Sequence, residues 1–360
     1  MTRFGFVIHP LNARDVARKY PIAHFLPDSV VEAVMKYKRS MVVSEITGVR
    51  SKAGAMTEGW FIGCPLTPNQ MVRSLPLETV YDKIVEACVV AADQGAQLVG
   101  LGAFTSVVGD GGISIAQRSP IPVTTGNSYT VATAIEGTLR ACSLLEVDLP
   151  NATLAVVGAT GSIGKTCAKV LGREFGRVIL VGRDLEKTQR LTAEIDGSEA
   201  TTDVGRIREA DAVITVTSSD AEIILPEHLK PGCVVCDVAR PRDVSVRVGK
   251  ERPDVLVIEG GVIHVPGNVD FGFDFGFPEK TAYACMSETM ILALEGRAEN
   301  FTVGKDVSVE QVDEMTQLAK KHGFELADFR AFEKVVSPTT IERARNARVT
   351  GATVPRAQRP

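Results

Sequence analysis

Thr153-Leu154-Ala155-Val156-Val157, followed at once by Gly158-Ala159-Thr160-Gly161-Ser162-Ile163-Gly164, is the stretch that decides the fold. An apolar, β-branched run ends in a glycine-rich turn, and the turn opens a helical pattern. Gly158 and Gly161 let the backbone turn and approach a pyrophosphate at the helix N-terminus, while Gly164 lets helix and strand pack closely. Thr160, Ser162 and Ile163 complete the candidate phosphate-binding turn. The helix carries Ile163, Cys167, Val170 and Leu171 at 3.6-residue spacing, a stripe expected to face the sheet. Further short runs at 178–181, 212–216, 234–238 and 255–258, with a weaker one at 199–202, alternate with helical patterns. That alternation is how a parallel sheet with crossover helices is written. The expected fold class is α/β, a Rossmann-like doubly wound parallel sheet with an N-terminal α/β domain and C-terminal helices returning across the cleft.

Working outward, residues 1–150 read as a substrate-side α/β domain with strands at 4–8, 41–46 and 98–103, and 151–270 as the NADP-binding domain. A helix over 129–145 joins the two, with Val131, Ile135, Leu139 and Cys142 on one side. Residues 271–336 form a C-terminal helical segment that carries Cys285, and its main helix is expected over 280–295. The arginine-bearing 337–360 reads as a mobile tail.

The chain has 360 residues, 44% hydrophobic and 23% charged, with a formal net charge of −4. That balance gives no reason to expect a nucleic-acid partner. No apolar run approaches the roughly 18 residues of a transmembrane segment, and the apolar core of the N-terminus is too short for a signal peptide. A cytoplasmic location follows as the expectation. Seven scattered cysteines do not make a disulfide framework and suit a reducing compartment. Cys233 and Cys236 have redox or zinc spacing but lie in a run that reads as a buried strand, and the five histidines show no paired spacing, so no metal is expected.

At the end of the second strand of the cofactor unit stands Arg183, placed to pair with a 2′-phosphate, which favours NADPH over NADH. Asp184 follows it, and a shift of one residue in the turn would present that carboxylate instead. Cys285 stands near the start of the returning helix, where a helix N-terminus helps a thiol ionise; a buried, inert cysteine is the plainer alternative. The polar turn Thr124-Thr125-Gly126-Asn127-Ser128-Tyr129-Thr130 offers Asn127 and Tyr129 as donors to an oxyanion, and equally reads as helix capping. Ser106 closes Gly100-Leu101-Gly102-Ala103-Phe104-Thr105-Ser106, a strand end open to a ligand. In extended chain, Phe271, Phe273, Phe275 and Phe277 would share one face, as core packing or as a wall for an aliphatic chain.

Taken together, Leu101-Gly102-Ala103-Phe104-Thr105-Ser106, Thr124-Thr125-Gly126-Asn127, the Gly158 to Gly164 turn, Ala284-Cys285-Met286-Ser287-Glu288, Leu294-Glu295-Gly296, Asn300-Phe301 and Lys321-His322-Gly323-Phe324 resemble the cyanobacterial long-chain acyl-[acyl-carrier-protein] reductases. The resemblance runs from about residue 95 to 330. It implies NADPH-dependent reduction of a fatty acyl thioester to an aldehyde, with Cys285 as the nucleophile that forms an acyl-enzyme. It implies acyl carrier protein or acyl-coenzyme A as acyl donor, and an aldehyde-consuming enzyme is a further candidate partner. The basic run Lys36-Tyr37-Lys38-Arg39 is a local candidate for meeting an acidic carrier. The sequence departs from that family at Tyr129, where a histidine is expected, and in the phenylalanine-rich segment before Cys285. Two alternatives stand beside this reading: a shikimate-dehydrogenase-like enzyme without covalent catalysis, and a non-catalytic NADPH-binding sensor or scaffold.

Overall fold

In a computed structural model, which describes residues 1–10, 15–16, 21–219, 221–239 and 241–351, all six runs read after residue 150 are strands within one residue at either end. In chain order the strands used below are β1 (Phe4–Ile8), β2 (Met41–Arg50), β3 (Met56–Gly63), β4 (Leu98–Leu101), β5 (Val123–Thr124), β6 (Thr153–Val157), β7 (Arg177–Val181), β8 (Ser198–Thr201), β9 (Ala212–Thr215), β10 (Val234–Asp237), β11 (Leu256–Glu259), β12 (Val262–His264), β13 (Gly267–Asp270) and β14 (Thr281–Tyr283). The helices are α1 (Asp28–Met35), α2 (Leu77–Asp93), α3 (Phe104–Val107), α4 (Ile113–Arg118), α5 (Asn127–Leu144), α6 (Ser162–Leu171), α7 (Leu185–Thr192), α8 (Val246–Glu251), α9 (Ala284–Leu294), α10 (Val309–His322) and α11 (Pro338–Thr350).

By its contacts the chain forms two units. One comprises Met1–Tyr129, Ile263–Asp306 and Asp313–Glu325; the other comprises Thr130–Val262, Val307–Val312 and Leu326–Pro360. The divisions fall inside α5 and β12 rather than near 150 and 270. Most of the segment expected as a separate C-terminal piece, Cys285 included, belongs with the N-terminal unit.

The second unit holds a six-stranded sheet in the order β11-β10-β9-β6-β7-β8, with every pair parallel. Strand order reverses between β6 and β9, which is where such sheets open a ligand crevice at their carboxyl ends. Both faces are covered, so the strands read as continuous apolar runs rather than alternating ones. Val157, Val181, Val213 and Val235 are buried with one face and Leu154, Val156, Leu180 and Ile214 with the other. The α6 stripe differs from the expected one: Gly164, Cys167, Ala168 and Leu171 are buried, whereas Ile163 and Val170 are half exposed. The smallest residues face inward because the helix presses on the turn before it; a Cβ on Gly164 would lie 2.3 Å from the Gly158 carbonyl oxygen.

The segment from residue 337, expected as a tail, is helical to Thr350. Ser337 caps α11, Pro338 takes its first turn, and Ala344 and Ala347 are fully buried. Arg348 pairs with Asp211 at 2.8 Å, and Arg345 donates to the Leu144 carbonyl. Low apolar content hid this helix because its buried stripe is alanine. Arg356 and Arg359 lie outside the described residues.

The first unit has a mixed six-stranded sheet in the order β13-β2-β3-β1-β4-β5. β2 and β3 form an antiparallel hairpin, β13 adds to its edge, and β1, β3, β4 and β5 run parallel. One face packs on α2 through Val80, Tyr81, Ile84, Cys88 and Ala91 against Val7, Ile62, Val99 and Leu101. α9 lies against β4 at Gly100, where a Cβ would meet the Thr289 hydroxyl at 2.1 Å. Every residue of α9 except Cys285 is buried. Each large apolar side chain so buried contributes about 1.5–3 kcal/mol, which fixes the helix firmly beneath its exposed end. Among the described residues no helix is long and apolar enough to cross a membrane.

Candidate active site

α9 starts later than expected, at Ala284, because Pro278 and the strand β14 occupy the preceding residues. Cys285 is therefore the second residue of the helix. Its N-cap, Tyr283, contributes no side-chain hydrogen bond, so the first-turn N–H groups have no capping acceptor. The backbone N–H groups of Met286, Cys285 itself and Ala103 are near enough to favour the charged form of the thiol. Of the seven cysteines, Cys285 is the one that is not buried. Burial among neighbours and the nearby Glu288 charge nonetheless push its thiol up to about 12, outweighing the backbone donors expected to acidify it. Burial holds Cys64, Cys88, Cys142 and Cys233 at about 12 as well. Access and converging donors distinguish Cys285, not acidity. Cys233 and Cys236 are both buried, in or beside β10.

Glu288 lies three residues on, on the same side of the helix. It is fully buried, and its carboxylate accepts from the Ser128 hydroxyl at 2.6 Å, the Tyr129 N–H at 2.9 Å, the Thr124 hydroxyl at 2.5 Å and the Thr302 hydroxyl at 3.0 Å. Burial raises its pKa against the pull of these four donors. A buried carboxylate survives only when so paired. The network fastens the Thr124 to Tyr129 turn to α9 and brings Gly126 onto Cys285: with φ at +74°, a Cβ there would lie 2.2 Å from the Cys285 Cα. Asn127 and Tyr129, both buried, follow Gly126 in that turn. The Asn127 amide has no hydrogen bond among the described residues, whereas the Tyr129 backbone is committed to Glu288. Glu288 carried no role in the sequence reading. Its signal was available: a single carboxylate inside an otherwise apolar helix must have buried partners.

On another side of the thiol, Ala103 adopts φ 48° and ψ −123°, a conformation proper to glycine. Holding alanine there costs about 1–3 kcal/mol, and such strain collects at functional sites. Hydrogen bonds hold the turn: the Gly102 carbonyl accepts from Thr105, and the Ala103 carbonyl accepts from the Ser106 N–H at 3.1 Å and hydroxyl at 2.7 Å. Ser106 is thus a brace for Ala103, with its hydroxyl already spent.

The phenylalanine-rich stretch is not extended. With Asp270 included it is the tetrapeptide Asp-Phe-Gly-Phe twice over, a repeat that the sequence reading did not register. Each aspartate accepts from the glycine N–H two residues on, at 2.8 Å, and Gly272 and Gly276 take positive φ. These two turns break the single face expected of an extended chain. Phe271 and Phe275 pack on Phe61, and Phe275, Phe277 and Tyr283 continue ring to ring at 5.5 and 4.3 Å. Phe273, Phe275, Phe277, Tyr283 and Cys285 are all half exposed.

In the second unit, Gly158 takes φ +85°, and a Cβ on it would meet the Val216 carbonyl oxygen at 2.8 Å. Gly161 precedes α6 with no side-chain cap, and the buried Ser162 hydroxyl has no hydrogen-bond partner. Bare N–H groups, an orphan hydroxyl and glycine backbone together fit a dinucleotide pyrophosphate. Thr160 reaches the end of β7, with its methyl 3.5 Å from where a Gly182 Cβ would stand. Arg183 is exposed and has no ion pair among the described residues. Asp184 is taken up as the α7 N-cap, accepting from Lys187 N–H at 3.1 Å, which removes it as a rival to Arg183. Asp243, unforeseen from sequence, accepts from Thr215 and Thr217 and so holds the loop after β9. Among the described residues no three His, Cys, Asp or Glu side chains gather as a metal site.

Residues 141–259 match the shikimate / quinate 5-dehydrogenase family. Over 337 residues the chain is 30% identical to the aminotransferase PigE of a Serratia species; the alignment covers 89% of this chain and 39% of PigE, so the chain spans well under half of that relative. Over 344 residues it is 28% identical to the long-chain acyl-[acyl-carrier-protein] reductase of Synechococcus elongatus, covering 89% of this chain and 98% of that protein. The structure of glutamyl-tRNA reductase from Methanopyrus kandleri is similar at 18% identity and a TM-score of 0.31, covering 71% of this chain and 57% of that one. The protein has a Rossmann-like fold of the NADP(H)-binding kind.

Proposed function

We propose that the protein reduces a fatty acyl thioester to an aldehyde through an acyl-enzyme on Cys285. The observation that carries this reading is the thiol itself: half-buried at the start of α9, whereas the six other cysteines are buried, with Gly126 pressed against it. The Cys285 thiolate attacks the thioester carbonyl, the tetrahedral oxyanion collapses, and the carrier thiolate leaves with an acyl-cysteine formed. When bound, NADPH would supply the hydride for the acyl carbon. The role of Cys285 would then be to hold the resulting thiohemiacetal anion and to leave as thiolate when the aldehyde C=O forms. Asn127, whose amide makes no hydrogen bond among the described residues, and the Ala103 N–H are the candidate donors to the oxyanion. Gly158, Thr160, Gly161, Ser162, Ile163 and Gly164 would hold the pyrophosphate, and Arg183 the 2′-phosphate.

The half-exposed rings from Phe273 to Tyr283 give an aliphatic chain a surface leading toward the nucleophile. Lys36, Tyr37 and Lys83 line a pocket of about 440 Å³ floored by Leu66 and Leu75, and this basic rim suits an acidic carrier protein. A fatty aldehyde is reactive and would be passed on, so an aldehyde-consuming enzyme is the further candidate partner. The shikimate-dehydrogenase-like alternative rests on residues 141–259, the cofactor-binding stretch, and leaves Cys285 and its donors without a role.

Intact mass spectrometry after incubation with long-chain acyl thioester, without NADPH, tests the reading. One acyl adduct is expected, absent in Cys285→Ser. No adduct, or an adduct that persists in Cys285→Ser, would overturn it.

A further inference from the structure

His9 follows directly on β1 and was given no role by the sequence. Its Nε2 accepts from the Phe104 N–H at 3.1 Å, so Nδ1 carries the ring proton and donates to the Pro10 carbonyl at 3.0 Å. Desolvation pushes the ring's pKa down, which keeps it neutral and able to accept. The imidazole also packs edge-on against the Phe104 ring at 6.1 Å. Phe104 N–H belongs to the peptide that follows Ala103, the residue held at φ 48° just past β4, the strand on which α9 packs at Gly100 and Thr289, and the Ala103 N–H is near enough to Cys285 to favour the thiolate. The carbonyl of that peptide is tied by Ser106 and its N–H by His9. We propose that His9 is a positioning residue: by anchoring the Phe104 N–H it keeps Ala103 in its left-handed turn and its N–H on the nucleophile. Without the ring, Phe104 N–H loses its acceptor and Ala103 relaxes toward negative φ, a rotation that carries its N–H off the sulfur.

The proposal rests on Cys285 as nucleophile, so its test includes a readout that needs no turnover. Iodoacetamide labelling of Cys285 at pH 8, followed by intact mass and peptide mapping, reports thiolate availability. His9→Ala should slow labelling about tenfold and lower kcat by about ten- to a hundredfold, the scale of one hydrogen bond to a charged group, with KM for the thioester little changed. His9→Gln places an amide oxygen near the Nε2 position and should recover most of the loss. Ala103→Gly supplies the discriminating cycle. Glycine holds positive φ without strain, so removing His9 in that background should cost clearly less than in the parent. If His9→Ala does not fold, His9→Phe fills the same space without an acceptor and takes its place in the cycle. Parental labelling in the acceptor-less variants, or equal losses in both backgrounds, would overturn the proposal. No aldehyde formation by the parent protein, with labelling still slowed in the acceptor-less variants, would instead count against the acyl-enzyme reading while leaving the positioning role standing.

Discussion

The glycine turn at 158–164 and the surroundings of Cys285 do comparable work in different ways. Both use backbone N–H groups at the start of a helix, and both exclude a Cβ: Gly164 against the Gly158 carbonyl at 2.3 Å, Gly126 against the Cys285 Cα at 2.2 Å. The cofactor turn is one continuous stretch whose ligand is a pyrophosphate, so strand, turn and helix suffice. The cysteine site joins the ends of β1 and β4, the turn after β5, the start of α9 and Thr302. A thiol that must be both reachable and held needs a frame from several directions, and that frame is built by a buried carboxylate.

The sharpest break of this comparison is a reciprocal pair of substitutions. Gly126→Ala places a Cβ inside Cys285 and at a positive φ, and acylation of Cys285 should fall at least about a hundredfold while NADPH affinity stays within about twofold. Gly164→Ala should do the reverse, weakening NADPH about ten- to a hundredfold by calorimetry and leaving Cys285 labelling intact. Loss of both functions in either variant would mean that the two regions do not act separately.

Arg183→Ala comes next. It should narrow the preference for NADPH over NADH by about ten- to a hundredfold in kcat/KM, the scale of one charge-assisted contact. Equal use of both cofactors by the parent protein would remove Arg183 from the site.

Glu288→Gln separates framing from chemistry. Its amide nitrogen cannot accept from the donors around it, and one buried polar group left unpaired costs about 1–3 kcal/mol, so Tm should fall. The Cys285 thiol should become more acidic once the neighbouring charge is gone, and labelling at pH 8 should quicken by several-fold. Slower labelling would mean that displacement of the turn outweighs removal of the charge.

The smallest effect is on stability at alkaline pH. Cys64, Cys88, Cys142, Cys233 and Cys285 have folded pKa values raised from 9.0 to about 12, so the folded state keeps protons that the unfolded chain gives up. Their contribution is complete below pH 9 and is lost as pH rises from 9 toward 12. Urea midpoints should therefore decline over that window, and Cys88→Ala should flatten the decline. Labelling of Cys285 should rise about tenfold per pH unit from 7 to 10 without levelling off, since the thiolate remains the minor form throughout.

How much was legible follows the range of the forces concerned. Strand positions in the second unit are written in local apolar runs, and the glycine turn has local steric reasons for each glycine. The α6 stripe was misplaced by a rotation of the helix, because close packing selects small residues rather than the most apolar ones. The helix at the C-terminus was missed because alanine burial and arginine pairing leave little hydrophobic signal. Cys285 stood out by its position near a helix start and by resemblance, but the groups that frame it did not.

By itself, then, the sequence determined a Rossmann-like unit, the glycine turn that opens its first helix and the cysteine to single out, all readings of residues near one another in the chain. Tertiary structure alone decided that Glu288 reaches Thr124, Ser128, Tyr129 and Thr302, that Ala103 turns its N–H to the thiol, and that His9 holds Phe104. Those contacts include one between residues 164 apart, and the hydrogen-bond partner of a buried carboxylate or imidazole is set by where the sheet delivers it, not by its neighbours in sequence.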